Sequence, residues 1–303
     1  MTVFLKNTEK RNFLKRIVEL SSVLLITVTL VLCTLSGCAD ALDQNELTLA
    51  FLDAGQGDSA LIMTQSGKNV LIDTGAPDST DKIISAMLKY GVETVDLLIL
   101  THMHEDHVAG TLRVLEEFEV NTLWCLKTED NYITDAIRSR ADSRGCKIVY
   151  ADEGDEAVID ESTNVGIRVL SAYAEGDFDD ANENALVVSL YCGNFRALFM
   201  ADAGFETEKY LMENYPNEIK CDVLKVGHHG SSTSSSEEFV KATGAQVAVI
   251  SCGENNAYGH PHKETLEVLE KYCDDILFTY GGGTEIFVNG DEISYIRQEA
   301  RGN

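Results

Sequence analysis

The chain has 303 residues, with 24 Lys and Arg against 50 Asp and Glu, and its formal net charge at pH 7 is −26. So acidic a chain argues against a general nucleic-acid binder, because it repels polyanions unless a local basic or metal-rich patch overrides the field. Its length, with only three prolines and no internal repeat, favours one large domain after the N-terminal segment.

Residues 1–37 have the layout of a secretory signal peptide, with a basic start and an uncharged, mostly apolar run over 20–35. The apolar run is at the short end for a membrane span. The alternative to a cleaved signal peptide is an uncleaved anchor helix. The run ends in Leu35-Ser-Gly-Cys38, which resembles a bacterial lipobox. The resemblance implies cleavage before Cys38 and a lipid on its sulfur, so that the domain is held on the outer, extracytoplasmic face of the membrane.

Removing residues 1–37 makes the chain more acidic. Five of the 24 basic and two of the 50 acidic residues leave with this segment, so that 19 and 48 remain, a formal net charge of −29. We expect residues 38–46 to form a short tether, 47–297 the folded domain and 298–303 a tail.

Apolar runs broken by glycine-rich turns predict strands and helices in the first half of the domain. The predicted strands cover 47–52, 60–63, 69–72, 95–100, 121–126 and 146–150, with two more short strands between 158 and 171. The predicted helices cover 81–90, 108–118 and 132–143, and 172–183 is an acidic loop.

The second half alternates strands and helices before it ends in strands. The predicted strands cover 185–191, 195–200, 222–226, 246–251, 276–280, 284–288 and 292–296. The predicted helices cover 206–214, 236–242 and 263–272, and Ser236 is a plausible N-cap. This order predicts an α/β (α+β) domain in which two mixed sheets lie face to face with helices outside. Polar loops at the strand ends then gather at one edge.

A histidine-rich loop follows the predicted strand 95–100. It contains His102, His104, Asp106 and His107, and imidazole and carboxylate are the usual ligands of zinc and similar ions. His102 and His104 are two apart in an extended segment and can point the same way, which leaves Asp106 and His107 for a second ion. Four ligand-type side chains in six positions favour a metal site over a polar surface loop.

The remaining histidines lie in two other loops. They occupy 228–229 and 260–262, each after an apolar strand and a sharp turn, and Asp202 also follows a strand directly. Histidines scattered through a core would not be distributed in this way. The pattern predicts a metal site assembled from several loops.

These residues resemble a known metal signature. His102-x-His104-x-Asp106-His107, Asp202 and His228 are similar to the signature of the metallo-β-lactamase fold. The motifs at 51–59, 71–75, 224–231 and 258–261 are similar to those of the hydrolase domain of ComEC-type competence proteins. The resemblance implies a four-layer αββα sandwich, two mixed β-sheets flanked by helices, with two divalent metal ions, Zn or Mn, between the sheets.

The resemblance also implies a ligand for each ion. The first ion is expected on His102 and His104, the second on Asp106, His107 and His228, and Asp202 is expected to bridge them. His229 could replace His228, which is favoured because it comes first after the strand. Asp73 is expected to orient a ligand imidazole, with a helix or turn cap as the alternative.

One ligand of the wider fold is missing. Many two-metal members place another histidine on the first ion, but no histidine stands between His107 and His228 here. Asn184 falls where that loop is expected, and a carboxamide is a poorer zinc ligand than imidazole. The first site should then be weaker, richer in oxygen and better suited to Mn²⁺.

The candidate catalytic residues are His260 and Asp106. His260 lies on a loop after a strand, as the ligands do, and could contact a phosphate or act as a general acid; a helix-start histidine without a role is the alternative. Ser231, Ser232 and Ser234 could form an anion site before a helix, although turn and capping chemistry explains them equally well.

The cysteines give no sign of a zinc site. Beyond Cys38 six remain, widely spaced and without a Cys-x-x-Cys pair, so buried thiols are favoured, although an oxidising exterior permits bridges. They are Cys125, Cys146, Cys192, Cys221, Cys252 and Cys273.

The hypothesis is a lipid-anchored extracytoplasmic hydrolase, a phosphodiesterase or nuclease that uses a hydroxide held between its two ions. The resemblance favours DNA as substrate, whereas the acidic charge opposes tight DNA binding. A surface phosphoesterase acting on phosphocholine is an enzymatic alternative. A metal-binding surface module without turnover is an alternative of another class, and activity on β-lactams is not expected.

Overall fold

The computed structural model describes residues 46–127, 132–172, 182 and 184–297. The predicted signal peptide, Cys38, the tail and most of the acidic loop lie outside the described residues. None of the helices in the described ranges is long and apolar enough to cross a membrane.

The first sheet has eight strands in the order β15-β14-β1-β2-β3-β4-β5-β6. Strands β3 to β6 run parallel and the other neighbours antiparallel, so the sheet is mixed. Its strands are β1 (Leu47–Phe51), β2 (Ala60–Thr64), β3 (Asn69–Ile72), β4 (Thr94–Leu100), β5 (Glu119–Cys125), β6 (Lys147–Tyr150), β14 (Thr284–Asn289) and β15 (Glu292–Arg297).

The second sheet has seven strands in the order β13-β12-β11-β10-β9-β8-β7. Strands β10 to β13 run parallel and β7 to β10 antiparallel. Its strands are β7 (Glu156–Asp160), β8 (Val165–Ala172), β9 (Leu186–Cys192), β10 (Phe195–Phe199), β11 (Val223–Lys225), β12 (Val247–Ile250) and β13 (Asp275–Phe278).

Three apolar cores show that the sheets face each other with helices outside. In β1, Leu49 and Phe51 belong to the core between the sheets, while Ala50 belongs to the core beneath the helices of the first sheet, as the alternation of side chains along a strand requires. A third core joins the second sheet to its own helices. The chain therefore forms four layers, and the predicted arrangement of two mixed sheets flanked by helices is confirmed.

The helices fall into two groups, one on each outer face. The first sheet carries α1 (Thr80–Lys89), α2 (Glu105–Val108), α3 (Thr111–Glu117) and α4 (Tyr132–Arg144), and the second carries α5 (Phe205–Asn214), α6 (Glu237–Thr243) and α7 (Lys263–Tyr272). Ser236 caps α6 as predicted, since its Oγ accepts from the Phe239 N–H at 3.3 Å.

One predicted helix begins later than expected. Of the predicted segment 108–118, Thr111–Glu117 forms α3, whereas Val108 ends the separate helix α2, with a break that includes Gly110. The backbone N–H and the hydroxyl of Thr74 both donate to the carbonyl of His107, at 2.7 and 3.0 Å. A Cβ on Gly110 would lie 2.5 Å from the Thr74 carbonyl oxygen. The chain therefore ends one helix and starts another where it packs against the loop after β3.

The six cysteines of the described residues are free thiols. Five of them are buried and Cys273 is partly exposed. Buried thiols, the favoured state, are therefore what the structure shows.

The carboxyl ends of the parallel strands bring the predicted site loops together. Asp73 follows β3, His102 follows β4, and the loop with His228 and His229 follows β11. The Leu186 N–H of β9 in the second sheet donates at 2.9 Å to the carbonyl oxygen of Thr101, which directly follows β4 of the first sheet. The two sheets therefore meet at the edge where the histidines lie.

Candidate metal centre

Asp202 stands at the centre of the site. Its Oδ1 lies 3.3 Å from His107 Nε2 and 3.4 Å from His229 Nε2. Its Oδ2 lies 3.7 Å from His102 Nε2 and 4.0 Å from His228 Nε2. Each oxygen of the one carboxylate therefore faces a different set of imidazoles.

Two groups of ligand-type atoms share this carboxylate, and the atoms of each group lie within 4.8 Å of one another. The first group contains His102, His104 and Asp202. The second group contains Asp106, His107, Asp202 and His229. The structure thus brings together the predicted loops as two adjacent groups joined by Asp202.

Several atoms at the centre are buried without a hydrogen bond. Nε2 of His102, His107 and His229 and Oδ1 of Asp202 have no hydrogen-bond partner in the described part of the chain. Buried polar atoms are nearly always satisfied, so four unsatisfied atoms in one place point to a missing partner. A divalent cation that takes nitrogen and oxygen ligands fits this set.

Asp73 fixes the orientation of His107. The carboxylate is buried and accepts from the Thr101 backbone N–H at 2.8 Å and from the Thr101 hydroxyl at 2.7 Å. His107 Nδ1 lies 2.8 Å from Asp73 Oδ2 and so donates to it, which turns Nε2 toward Asp202. This is the contact expected of a carboxylate that orients a ligand imidazole.

A second carboxylate supports His229. The Nδ1 of His229 lies 3.0 Å from the Ser251 carbonyl oxygen and 3.5 Å from Asp58 Oδ1. Asp58 is itself held by Lys225, whose Nζ lies 2.7 Å from Oδ2. Asp58 and Ser251 were not predicted as site residues. Asp58 belongs to a glycine-broken polar turn after β1, and other site residues also lie in loops that follow strands. This position in the sequence could have indicated Asp58 as a site residue.

His229, and not His228, lies with Asp106 and His107. Both histidines have left-handed backbone conformations, with φ of 46° and 54°, so the turn points their rings in different directions. His228 Nδ1 lies 3.1 Å from the Thr233 hydroxyl, and its partly exposed ring faces the other oxygen of Asp202. His228 was favoured because it comes first after the strand, whereas in the structure His229 is the ring that lies with this group.

Asn184 lies near the predicted place. Its side chain is buried, and it precedes β9, whose Leu186 donates to the Thr101 carbonyl beside His102. The backbone around Asn184 is therefore tied to the loop of the first group.

His260 closes one side of the site. Its ring stacks on His229 with centroids 6.3 Å apart and on the exposed Tyr258 at 5.6 Å. Gln56 Nε2 lies 3.2 Å from His260 Nδ1. Burial, followed by the nearby His229, His262 and His228, lowers the pKa of His260 to about 4.

The predicted serine site is turn chemistry in the structure. Ser234 is buried and its hydroxyl donates to the Gly227 carbonyl at 2.7 Å. The Ser231 hydroxyl accepts from that of Thr233 at 3.1 Å. The Ser232 N–H donates to His262 Nδ1 at 2.8 Å. These contacts hold the loop of His228 and His229 against the loop of His260.

Carboxylates and imidazoles of the site shift one another's pKa. Burial disfavours a charged His229, but Asp202, Asp106 and Asp58 outweigh it and raise its pKa to about 10. Burial likewise opposes a charged His107, and Asp202 and Asp73 raise its pKa well above the ordinary value. Burial lowers the pKa of His102 well below its ordinary value. A divalent ion would replace the proton on Nε2 of His107 and His229, since metals bind the neutral ring.

Lys225 does not contribute a free positive charge to the open site. It is buried, with its ammonium paired to Asp58 and donating to the Val226 carbonyl at 3.0 Å. Burial raises the pKa of Asp58, but Lys225 and His229 outweigh it and hold that pKa far below its usual range. The positive charge of Lys225 is therefore cancelled by its partner.

Comparisons of sequence agree with this geometry. Residues 52–254 match the model of the metallo-beta-lactamase superfamily. ComE operon protein 3 of Bacillus subtilis is 32% identical over 256 residues, which cover 77% of this chain and 32% of that protein. Competence protein ComA of Neisseria gonorrhoeae is 28% identical over 223 residues, 73% of this chain and 29% of that protein. The chain thus spans about a third of the length of these curated relatives.

The fold is also that of solved structures. The metallo-beta-lactamase fold protein YhfI from Bacillus subtilis superposes with a TM-score of 0.52 at 11% identity, covering 83% of this chain and 100% of that one. At this identity the likeness concerns the fold alone. Together with the family match and the four layers, it shows that the chain belongs to the metallo-β-lactamase superfamily.

Proposed function

We propose that this chain is a metal-dependent hydrolase that cleaves phosphodiesters. The observation that carries the proposal is the set of buried, unsatisfied Nε2 and Oδ1 atoms around Asp202. Buried polar atoms without partners are costly, so this cluster favours occupation by divalent cations.

Two divalent ions fit the two groups. The first would be held by His102, His104 and Asp202, and the second by Asp106, His107, Asp202 and His229. The family implies divalent metal binding, and we propose Zn²⁺ or Mn²⁺. Because the first group has fewer ligands, we expect it to bind its ion more weakly, with Asn184 as a neighbouring oxygen donor.

The ions would lower the pKa of a water molecule and stabilise charge on a phosphoryl oxygen. The chain's own residues provide orientation. Asp73 orients His107, and Asp58 and Ser251 orient His229. The partly exposed rings of His228 and His260 contact each other beside the ligand groups. We propose that His260 contacts the substrate phosphate there.

A small phosphodiester suits the charge of the molecule best. The local positive charge needed for one phosphate would come from the ions, whereas a long DNA strand needs Lys and Arg along its path. The name of one relative, Competence protein ComA, favours DNA as the second candidate substrate. A phosphocholine ester remains a third candidate.

We further propose that the chain is anchored outside the cytoplasmic membrane through a lipid on Cys38. The proposal depends on Leu35-Ser-Gly-Cys38 and on the basic and apolar residues before it. A tethered enzyme would meet substrates at the cell surface.

Hydrolysis tests the proposed activity. The full chain, purified in detergent with Mn²⁺ or Zn²⁺, is assayed on bis-p-nitrophenyl phosphate, single-stranded DNA and p-nitrophenyl phosphocholine, with Asp202→Ala as the inactive control. We expect turnover of the first substrate that the control lacks. No turnover of any of the three substrates would overturn the proposed activity, and one bound ion or none per chain would support the metal-binding module instead.

A further inference from the structure

Gln56 joins two loops beside the candidate site. It lies in the turn between β1 and β2, partly buried. Its side chain contacts Gly253 and His260, both in the loop after β12. Neither the expected ligand set nor the family resemblance assigned it a role.

The orientation of the Gln56 amide follows from one unambiguous donor. The Gly253 backbone N–H points at the end of the side chain at 3.0 Å, and a backbone N–H can only donate. The atom it meets must therefore be the amide oxygen, Oε1. The other atom, Nε2, is then the –NH₂ group, and it faces His260 Nδ1 at 3.2 Å.

This orientation determines the tautomer of His260. An amide –NH₂ can only donate, so Nδ1 must accept and cannot carry a proton. The proton of the neutral ring then lies on Nε2. We infer that Gln56 is a positioning residue that makes His260 Nε2–H a fixed hydrogen-bond donor beside the metal centre.

The surrounding contacts fix the backbone of His260 and restrict the tilt of its ring. The Asn256 carboxamide accepts from the His260 N–H at 3.0 Å and donates to the His260 carbonyl at 2.6 Å. It also donates to the Gly253 carbonyl at 2.8 Å, so the loop is closed on itself. The ring of His260 is further packed between Tyr258 and His229.

The turn of Gln56 is tied to the metal-ligand loop as well. The Asp58 N–H donates to the Asp106 carbonyl at 3.3 Å. A Cβ on Gly57 would lie only 2.0 Å from that oxygen, so only glycine allows the approach. The turn that carries Gln56 is therefore fixed relative to the loop of Asp106, while the Gln56 side chain bonds to His260.

The inference rests on the proposed hydrolase function and adds a role to it. If the His260 ring carried a second proton, its Nδ1–H would point at the –NH₂ group of Gln56, and the two donors would repel each other. His260 would then stabilise a phosphoryl oxygen through its Nε2–H and would not act as a general acid, the other role considered for it. Such fixed donors act by being in place before charge develops.

Nitrogen NMR of the histidine rings tests the tautomer without substrate. The full chain is labelled with ¹⁵N-histidine, loaded with Zn²⁺, and His260 is assigned with His260→Ala. We expect the proton on Nε2 in the native chain. In Gln56→Glu we expect it on Nδ1, because a carboxylate can only accept. Gln246→Glu, which adds the same charge at an exposed position, should leave the signals unchanged.

Kinetics then test whether Gln56 acts through His260. We expect Gln56→Glu to lower kcat on bis-p-nitrophenyl phosphate by about 10²-fold, the loss of one oriented donor, and Gln56→Met to lower it less. In a His260→Ala background the Gln56 substitutions should change kcat less than about twofold.

Two results would overturn the inference. One is a native His260 with its proton on Nδ1, and the other is a full additional loss from Gln56→Glu when His260 is already alanine. If the native chain hydrolyses no phosphodiester, the proposed function fails, whereas the NMR measurement still decides the tautomer.

Discussion

At the residue scale, the site depends on one carboxylate and on a turn with unusual backbone angles. Asp202 presents one oxygen to each ligand group. The left-handed conformations of His228 and His229 decide which of the two rings reaches the second group. The number of ions that each single substitution removes should therefore show whether a residue binds both ions, one ion or neither.

Asp202→Ala should lose both ions and nearly all hydrolysis, because both groups share its carboxylate. His104→Ala should lose mainly the first ion, since His104 belongs to that group alone. Elemental analysis after dialysis against a metal buffer measures the ions per chain. Two ions retained by Asp202→Ala would show that the carboxylate is not shared.

His229→Ala and His228→Ala form a matched pair of neighbours. We expect His229→Ala to lose the second ion, because its Nε2 faces Asp106 and Asp202 Oδ1 at 3.4 Å. His228→Ala should keep both ions while activity falls. The same elemental analysis distinguishes them, and loss of the second ion from His228→Ala instead would restore the original expectation.

At the element scale, a buried ion pair joins the sheets beneath the site. Lys225 ends β11 of the second sheet, and Asp58 lies between β1 and β2 of the first. Both side chains of the pair are buried, and Asp58 Oδ1 lies 3.5 Å from His229 Nδ1. Breaking it should reduce stability and also loosen a metal ligand.

Lys225→Met should lower the free energy of unfolding by about 3–5 kcal/mol, because it leaves the Asp58 carboxylate buried without its cation. Urea denaturation at pH 7 measures the loss. Lys68→Met is the control, since Lys68 pairs with Asp96 at the surface, and its effect should stay below about 1 kcal/mol. Equal losses in the two variants would mean that burial of the pair has no special importance.

The pH dependence of that loss follows from Asp58. Its pKa is lowered in the folded chain, so its stabilisation is present above the unfolded pKa and is lost as pH falls through the folded value. The difference between the native chain and Lys225→Met should thus shrink below about pH 4.

At the scale of the whole molecule, net charge and chemistry act against each other. The chain carries −26 overall, and Lys225, the basic residue nearest the ligands in the sequence motif, is already paired. Under the proposed function, the positive charge that attracts an anion would therefore come mainly from the bound ions. A small phosphodiester and a long DNA strand should therefore differ in how well they bind and in how their binding depends on salt.

Raising salt from 50 to about 200 mM should change kcat/KM for bis-p-nitrophenyl phosphate little, and single-stranded DNA should bind weakly with a shallow salt slope, because few counterions are released without Lys and Arg contacts. Fluorescence anisotropy with labelled DNA measures the slope. A tight complex that weakens by 10³-fold or more over this range would favour a nuclease with a basic groove.

The anchor belongs to this scale too. Cys38→Ala should release the protein into the medium or leave it unprocessed, because the lipidated cysteine would be gone. Fractionation and the mass of the chain report the outcome. Membrane retention with an unchanged mass would favour an apolar anchor helix.

The sequence by itself determined the order of strands and helices and the loops that carry the site. Alternating apolar residues and glycine-rich turns are local signals, so the sheets, most helices and the cap at Ser236 could be predicted from short segments. Ligand-type residues directly after strands indicated Asp202 and the loop of His102 to His107 as candidates, because parallel strands bring their ends to one edge, and the family resemblance added Asp73.

Only the tertiary structure decided which side chains meet. The break at Gly110 arises because Thr74, distant in sequence, bonds the His107 carbonyl. The choice of His229 over His228 depends on two left-handed residues that no spacing rule reveals. The pairing of Lys225 with Asp58 and of Gln56 with His260 joins residues 167 and 204 positions apart. Such contacts depend on how the two sheets pack, which is a property of the whole fold and not of any one segment.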